Sequence, residues 1–152
     1  MIAGIDPGKR GALFLLGPPY ECAMVPLVKI RSKEKPDYPA WWKIWHPLLL
    51  EAEHIFIESV AARPGQGVTS MFSFGYSAGF VYGLVLSSGR PHTFITPQRW
   101  KKLVGLRGSN AEESRRRASQ LLPEAVGFWP RKKDDGVAEA ALIAWAGKQQ
   151  SI

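Results

Sequence analysis

The sequence predicts an α/β fold with a central five-stranded mixed sheet. Three short apolar segments follow one another at the N-terminus: residues 1–6, 12–16 and 20–27. Proline and glycine occupy both turns between them, which is typical of a three-strand antiparallel meander. Two later apolar segments, 54–60 and 92–97, each follow a stretch with helical periodicity. They are predicted as two further strands that run parallel to each other.

Five helices are predicted around this sheet, over residues 39–53, 70–89, 97–105, 111–122 and 135–149. The first carries tryptophan, isoleucine and leucine at helical spacing, and the last is rich in alanine. The length of 152 residues suits one core, and neither repeats nor a linker divide the chain. We therefore expect a single domain over residues 1–152.

The charge balance favours a polyanionic partner. Lysine and arginine number 20 against 13 acidic residues, which gives a net charge of +7. Such an excess suits nucleic acid or an anionic membrane surface, although a merely basic soluble protein has the same balance. The one cysteine, Cys22, excludes an internal disulfide and a thiolate zinc cluster, and it fits a reducing compartment.

An uncharged stretch lies between Arg63 and Arg90 and is about as long as a bilayer-spanning helix needs to be. Serine and glycine interrupt its apolar character. Gly75, Gly79 and Gly83 recur every four residues and so share one helical face, where another backbone can approach closely. This pattern favours a buried helix, packed on the sheet or on a second copy of the chain, over a membrane span.

Acidic residues occur at three positions that could lie near one another: the end of the first strand, the end of the fourth strand and the start of the last helix. Asp6 closes the first strand, and Glu58 lies near the end of an otherwise apolar strand. If those strands are parallel neighbours, both carboxylates meet at one sheet edge. Asp135 and Glu139 are four residues apart and share one face of the last helix. Converging carboxylates would suit Mg²⁺ or Mn²⁺, whereas singly each acid also suits a turn, a helix cap or a solvated position.

Three motifs in order carry a family resemblance: "GIDPG", "IFIESV" and "DDGVAEAALIA". Together they resemble the RuvC family of Holliday junction resolvases within the ribonuclease H-like superfamily, and especially its bacteriophage-type branch. The similarity runs nearly end to end. "GQGVTSMFSFGYSAGFVYGL" resembles the family's long central helix, which forms the core of a dimer, and "ITPQRWKKLVG" resembles its basic segment after the fifth strand. The resemblance implies a ribonuclease H-like fold.

The resemblance also implies an activity, that of a crossover junction endodeoxyribonuclease. Two Mg²⁺ ions per active site, for which Mn²⁺ could substitute, would be held by Asp6, Glu58, Asp135 and Glu139, with Asp134 as an alternative ligand. Hydrolysis would leave a 5′-phosphate and a 3′-hydroxyl. A homodimer joined through the face of Gly75, Gly79 and Gly83 would place paired symmetric nicks in a four-way junction. The expected location is the cytoplasm of a bacterial cell or a phage-infected host, with no membrane partner.

Basic side chains near these motifs are the expected contacts to branched DNA. They are Arg99, Lys101, Lys102, Arg115, Arg116, Arg117, Lys132 and Lys133. Each one taken alone is equally well explained as a solvated surface charge.

The sequence departs from the family pattern in three ways. The last two acids are four residues apart, whereas the bacterial enzymes usually have three. The position of the bacterial aromatic wedge is Ala61 here; Met71, Phe72 or Phe74 could replace it if exposed, although core packing is expected for the two phenylalanines. Glu113 stands where the family has a lysine. The cut-site preference therefore does not transfer.

Three alternative functions remain open at this stage. An actin-like ATPase shares the first strand and its glycine turn, but it needs two lobes and a longer chain. A non-catalytic junction-binding protein would gain nothing from four acids where phosphate must lie. A broader nuclease that cuts branched DNA of many kinds has the same sequence features as a strict resolvase.

Overall fold

The computed structural model describes residues 1–108 and 110–150. The strands are β1 (Ile2–Asp6), β2 (Ala12–Leu16), β3 (Glu21–Met24), β4 (Leu27–Ile30), β5 (Lys33–Pro36), β6 (His54–Glu58) and β7 (His92–Ile95). The helices are α1 (Tyr38–Glu51), α2 (Val68–Ser87), α3 (Pro97–Val104), α4 (Ala111–Leu121) and α5 (Asp135–Gln150). Two short 3₁₀ segments, Pro123–Phe128 and Lys132–Asp134, connect α4 to α5.

Five of the strands form one mixed sheet in the order β3-β2-β1-β6-β7. The pairs β1–β2 and β2–β3 are antiparallel, while β1–β6 and β6–β7 are parallel. The predicted fold class is therefore confirmed: a three-strand meander is extended by two parallel strands. The two crossovers that lead into β6 and β7 contain α1 and α2, which lie against one face of the sheet.

Helix α5 covers one face of the sheet and packs directly on β1. Alternating residues of β1 face it, and Gly4 is the point of closest approach: a Cβ there would lie 2.1 Å from the carbonyl oxygen of Ala140 and 2.5 Å from the amide nitrogen of Ala144. Only glycine leaves room for the helix backbone at that point. The alanine-rich sequence of α5 serves the same purpose, since small side chains let helix and sheet approach.

Helices α1 and α2 cover the opposite face. Trp41, Trp45 and Leu49 of α1 recur at helical spacing and are fully buried there. Asp37 begins this helix: its carboxylate accepts a hydrogen bond from the amide of Ala40 at 3.1 Å. The predicted start at residue 39 is late by one residue, and the predicted end at residue 53 is late by two.

The expectation that the glycine-bearing helix is buried is only partly correct. Its buried residues are Ser77, Val81, Leu84 and Val85, so one stripe of α2 packs on the sheet. Nothing lies within 4 Å of a Cβ built at Gly75, Gly79 or Gly83. By length and composition alone, α2 is the one described helix that could cross a membrane, and 22% of its most apolar 18-residue window is buried. That test is weak evidence, because core helices of soluble proteins also pass it.

Strands β4 and β5 form a separate two-stranded hairpin that the sequence analysis does not predict. The predicted third strand runs to residue 27, whereas β3 ends at Met24. Arg31 and Ser32 form the hairpin turn with φ of 49° and 66°. Two-residue turns of this kind usually carry glycine or asparagine, so an Arg-Ser turn leaves no recognisable signal in the sequence.

Candidate active site

Asp6 and Glu58 lie side by side at the carboxyl ends of β1 and β6. The two strands are parallel with Ile5 opposite Ile57, so the next residue of each strand is an acid. Adjacent strands are about 4.8 Å apart. Gly4 and Phe56, two residues before each acid, face α5, so the alternation of the strands directs both carboxylates to that same face. The predicted pairing of these two acids therefore holds.

The first turn of α5 adds two more acids over this edge. Gly136 packs against the β1–β2 turn so closely that a Cβ would lie 2.1 Å from the carbonyl oxygen of Arg10. This contact places Asp135, the first residue of α5, beside the turn that follows Asp6. Glu139 lies one helical turn further on the same face. Both of these acids are half-buried.

The negative charges at this edge of the sheet act on one another. Burial together with the negative charges of Glu139 and Glu58 raises the pKa of Asp6 to about 7, and Asp135 contributes in the same direction. A hydrogen bond of 3.2 Å from the amide of Gly8 to the Asp6 carboxylate opposes this rise. A carboxyl group with a pKa near neutrality marks a buried place where the charged form is disfavoured, here by burial first and by neighbouring negative charge second.

Two neutral donors hold Glu58 and Glu139. The indole Nε1 of Trp100 donates a hydrogen bond of 2.6 Å to Glu58 Oε2, and the hydroxyl of Ser114 donates one of 3.1 Å to Glu139 Oε1. Burial raises the pKa of both glutamates, and Glu58 adds to the rise at Glu139. The two hydrogen bonds and the charge of Lys101 offset only part of these rises. Each side chain is thereby fixed in one orientation.

Asp134, the alternative ligand, points elsewhere. Its two carboxylate oxygens accept hydrogen bonds of 2.8 and 3.0 Å from the guanidinium of Arg131, and the backbone amide of the same residue donates a third at 2.9 Å. Asp134 is buried, and the Arg131 interactions lower its pKa. Burial raises the pKa of Cys22 on β3, and the charge of Asp134 adds to that rise. Asp134 thus closes the turn before α5, while Asp135 joins the carboxylate cluster.

Basic side chains flank the cluster on the side of α3. Lys101 influences the pKa of two of the acids, and Arg63 lowers that of Glu58. A shallow groove runs from this point along α3, and we refer to it as the basic groove. Its basic lining consists of Arg63, Lys101, Lys102 and Arg107. The positive charge of these side chains is complementary to the negative charge of a phosphate backbone.

The other predicted DNA contacts fall into two groups. The first group, Arg115 and Arg117, donates hydrogen bonds within the protein. Arg115 donates to the carbonyls of Trp129 and Pro130 at 3.4 and 3.3 Å. Arg117 donates to the carbonyl of Val104. They tie α4 to its neighbours, so the predicted basic run does not act as one surface. The exposed members of the set are Arg99, Lys102, Arg116, Lys132 and Lys133.

Sequence reasoning missed several residues of this site. Trp100 and Ser114 were not recognised, since nothing in a sequence tells which acid an indole or hydroxyl will reach. Lys9 and Arg10 are exposed on the β1–β2 turn, directly after Asp6, and their position in "GIDPGKR" was a usable signal. Arg63 was noted only as the edge of the uncharged stretch.

The wedge candidates differ in exposure. Ala61 is exposed, and Met71 and Phe74 are half-buried and line one small pocket with it. Phe72 is 71% exposed on α2, contrary to the expectation that both phenylalanines belong to the core. The helix periodicity explains the difference, because residues 72 and 74 lie about 200° apart around the helix axis.

The donor set fits a hard divalent cation. Within residues 1–108 and 110–150, no three His, Cys, Asp or Glu side chains already stand close enough together to enclose a metal ion. The cluster nevertheless consists of oxygen donors whose negative charges raise the pKa of Asp6 and of Glu139. A divalent cation would relieve that repulsion, and carboxylate oxygens are the ligands that Mg²⁺ and Mn²⁺ prefer.

Comparison with known proteins identifies the fold. No protein-family model matches the sequence, and no curated protein matches it. Among solved structures, the chain is similar to T. thermophilus RuvC in complex with a Holliday junction substrate, with a TM-score of 0.60 and 16% identity. A second structure of Thermus thermophilus RuvC has a TM-score of 0.54 and 19% identity. Each alignment covers 99% of this chain and 94% of the other. The chain has a RuvC-like fold of the ribonuclease H-like type; the bacteriophage-type branch is not distinguished.

Proposed function

We propose that this protein is a metal-dependent, structure-selective DNA endonuclease that resolves four-way Holliday junctions by paired symmetric nicks. The observation that carries the proposal is the meeting of Asp6, Glu58, Asp135 and Glu139 at one sheet edge of a strongly basic protein. A surface built only to bind DNA would be weakened by four acids at the point where phosphate arrives. The acids are explained when cations lie between them and the phosphate.

The four carboxylates would hold two Mg²⁺ ions, or Mn²⁺ in their place. Bound there, the ions would supply Lewis-acid activation of a water molecule and stabilise the charge on the leaving oxygen of the phosphodiester. Water adds to phosphorus, the bond to the 3′ oxygen breaks, and the products carry a 5′-phosphate and a 3′-hydroxyl.

The protein's own side chains orient this chemistry. Trp100 and Ser114 fix the oxygens of Glu58 and Glu139, so these two acids need little reorganisation when a cation binds. Lys101 lies close enough for its positive charge to oppose the rise that burial causes in the pKa of both glutamates. The basic groove continues from Lys101 and would carry the DNA strand on one side of the scissile phosphate.

A homodimer completes the proposal. One apolar stripe of α2 is exposed: Val68, Phe72, Tyr76 and Leu86 share it with Gly75, Gly79 and Gly83. Apolar side chains in such a continuous row are unusual on a monomer surface, and the glycines permit close approach of a second helix. Two copies related by a twofold axis would present two sites to opposing strands of a junction.

The proposal is tested with a labelled synthetic four-way junction, a linear duplex and a Y-shaped DNA, each with Mg²⁺ or with EDTA. Wild type should make paired nicks in the junction only when Mg²⁺ is present. Glu58→Gln should abolish them, because a neutral amide is a poor ligand. Glu51→Gln removes the same charge from an exposed position at the end of α1 and should cut as wild type does.

The other outcomes identify the alternatives. Equal cutting of junction and Y-shaped DNA would show that the protein is a general branched-DNA nuclease and not a strict resolvase. Tight junction binding without cutting in Mg²⁺ or Mn²⁺ would overturn the catalytic proposal and leave a binding protein.

A further inference from the structure

The β4–β5 hairpin projects from the same edge of the sheet as the carboxylate cluster. Asp6 pairs with Ala12 of β2, and Ala12 pairs with Met24, so β3 ends at the level of Asp6. Strand β3 is two strands away from β1, a distance of about 10 Å. The hairpin begins three residues after Met24. Its base therefore lies close to the cluster.

The base of the hairpin is held firmly, while its strands extend into solvent. The amide of Val25 donates to the carbonyl of Gly11 at 3.2 Å, and the amide of Asp37 donates to the carbonyl of Pro26 at 2.8 Å. Beyond these contacts every residue from Leu27 to Lys35 is exposed. An isolated two-stranded hairpin is of marginal stability in water, so a partner that covers these exposed strands would stabilise them.

The two faces of the hairpin differ in charge. In the observed register Lys29 lies opposite Glu34, so one face, which also carries Leu27 and Pro36, is neutral. The other face pairs Val28 with Lys35 and Ile30 with Lys33. That second face, which we term the basic face, has two lysines and no acid. Arg31 adds a third positive charge at the tip.

We propose that the basic face of the hairpin binds a duplex arm of the DNA whose scissile phosphate lies at the carboxylate cluster. The inference rests on the proposed function, since it extends that DNA site along the same sheet edge. A two-stranded ribbon fits the width of a major groove, and paired lysines meet phosphates on its walls. The exposed aliphatic side chains opposite the lysines, Val28 and Ile30, would contact sugars or base edges.

The reach of the hairpin sets where it would touch the DNA. Strands of four residues extend about 14 Å beyond a base that is itself about 10 Å from β1. The tip therefore lies within about 25 Å of Asp6, which corresponds to about 7 base pairs at 3.4 Å per pair. Contact beyond that distance along an arm is not expected.

The test compares junction binding in EDTA by wild type, Lys33→Ala/Lys35→Ala and Lys29→Ala over a range of salt concentrations. Losing two phosphate contacts should lower the slope of log affinity against log salt by about 2 and weaken binding roughly 10-fold to 30-fold near 0.15 M salt. Lys29→Ala removes one charge from the neutral face and should weaken binding less than about threefold. Lys33→Arg/Lys35→Arg should restore the wild-type slope.

A cross-link locates the contact directly. Ser32→Cys, carrying a photoactivatable aryl azide, should label an arm within about 7 base pairs of the nick, whereas Glu51→Cys at the opposite edge of the sheet should not. The modified wild type, which retains Cys22, gives the background. Binding is measured without metal, so a failure of cleavage does not affect this test.

Three results would overturn the proposal. One is equal weakening of junction binding by the single variants Lys29→Ala, Lys33→Ala and Lys35→Ala, which would show a general charge effect. Another is an unchanged salt slope in the double variant when its thermal unfolding matches wild type. The third is labelling of a second protein copy instead of DNA by Ser32→Cys, which would assign the hairpin to a protein interface.

Discussion

Trp100 and Glu58 are joined by a hydrogen bond of 2.6 Å from the indole Nε1 to the carboxylate Oε2. The indole is fully buried, whereas Glu58 lies at the end of β6 and is half-buried. A residue of the core thus sets the orientation of a carboxylate in the candidate active site. This hydrogen bond also couples the packing of α3 to the carboxylates at the sheet edge. Four predictions test this contact and others in the structure.

Trp100→Phe should lower junction cleavage about 10-fold and move the acid limb of its pH profile to higher pH. The indole hydrogen bond lowers the pKa of Glu58, so its loss raises that pKa, and ionisation is completed at higher pH. The measurement is the cleavage rate with Mg²⁺ between pH 5.5 and 9. Trp129→Phe, which loses a comparable bond to Ser119 Oγ, is the control; an equal shift there would refute the positioning role.

Asp6→Asn should stabilise the metal-free protein at pH 8 and abolish cleavage. The folded state raises the pKa of Asp6 from 3.8 to about 7, so it binds the proton more tightly than the unfolded chain does. Stability therefore falls as pH rises from about 4 to 7, and the full penalty, at most about 4 kcal/mol, is present above 7. The amide keeps an acceptor for Gly8 and removes the charge.

Thermal unfolding in EDTA at pH 8 and pH 4 checks this prediction. The melting temperature of Asp6→Asn should exceed that of wild type by several degrees at pH 8 and by little at pH 4. Mg²⁺ or Mn²⁺ should raise the melting temperature of wild type at pH 8 and have little effect on the variant. A variant less stable than wild type at pH 8 would contradict the crowding of charge at Asp6.

Gly136→Ala should destabilise the protein by about 2–4 kcal/mol and reduce cleavage more than 10-fold. A methyl group there meets the carbonyl of Arg10 at 2.1 Å, so α5 must move away from the β1–β2 turn and take Asp135 and Glu139 with it. Denaturant unfolding and cleavage are measured together. Gly127→Ala, with nothing within 4 Å of the added Cβ, should match wild type in both.

Gly79→Leu should leave the fold of each copy intact and prevent the proposed homodimer. No atom lies within 4 Å of a Cβ at Gly79, and leucine is a better helix former than glycine by somewhat less than 1 kcal/mol. Sedimentation equilibrium of wild type and variant gives the mass of each. Gly127→Leu serves as the control, and a wild type that sediments as a monomer at micromolar concentration would remove the basis for paired nicks.

Much of the fold was predictable because it depends on local patterns. The apolar segments that became β1, β2, β6 and β7 are short and bounded by turn residues, and α5 has an alanine-rich periodicity that only a packed helix explains. The β4–β5 hairpin was missed because its turn has the residues Arg31 and Ser32, which carry no turn signature. The exposure of Phe72 was also missed, since helix periodicity alone does not say which face of α2 meets the sheet.

The sequence by itself determined which acids could meet: an aspartate closing one strand, a glutamate closing its parallel neighbour, and two acids one helical turn apart. Only the tertiary structure decided how they are held. Asp134 forms a salt bridge with Arg131. Arg115 and Arg117 donate hydrogen bonds to backbone carbonyls. Trp100 and Ser114 donate hydrogen bonds to Glu58 and Glu139, respectively. The physical reason is that spacing and period are local properties of a chain, whereas all of these hydrogen bonds except the Asp134–Arg131 pair join residues 13 to 42 positions apart.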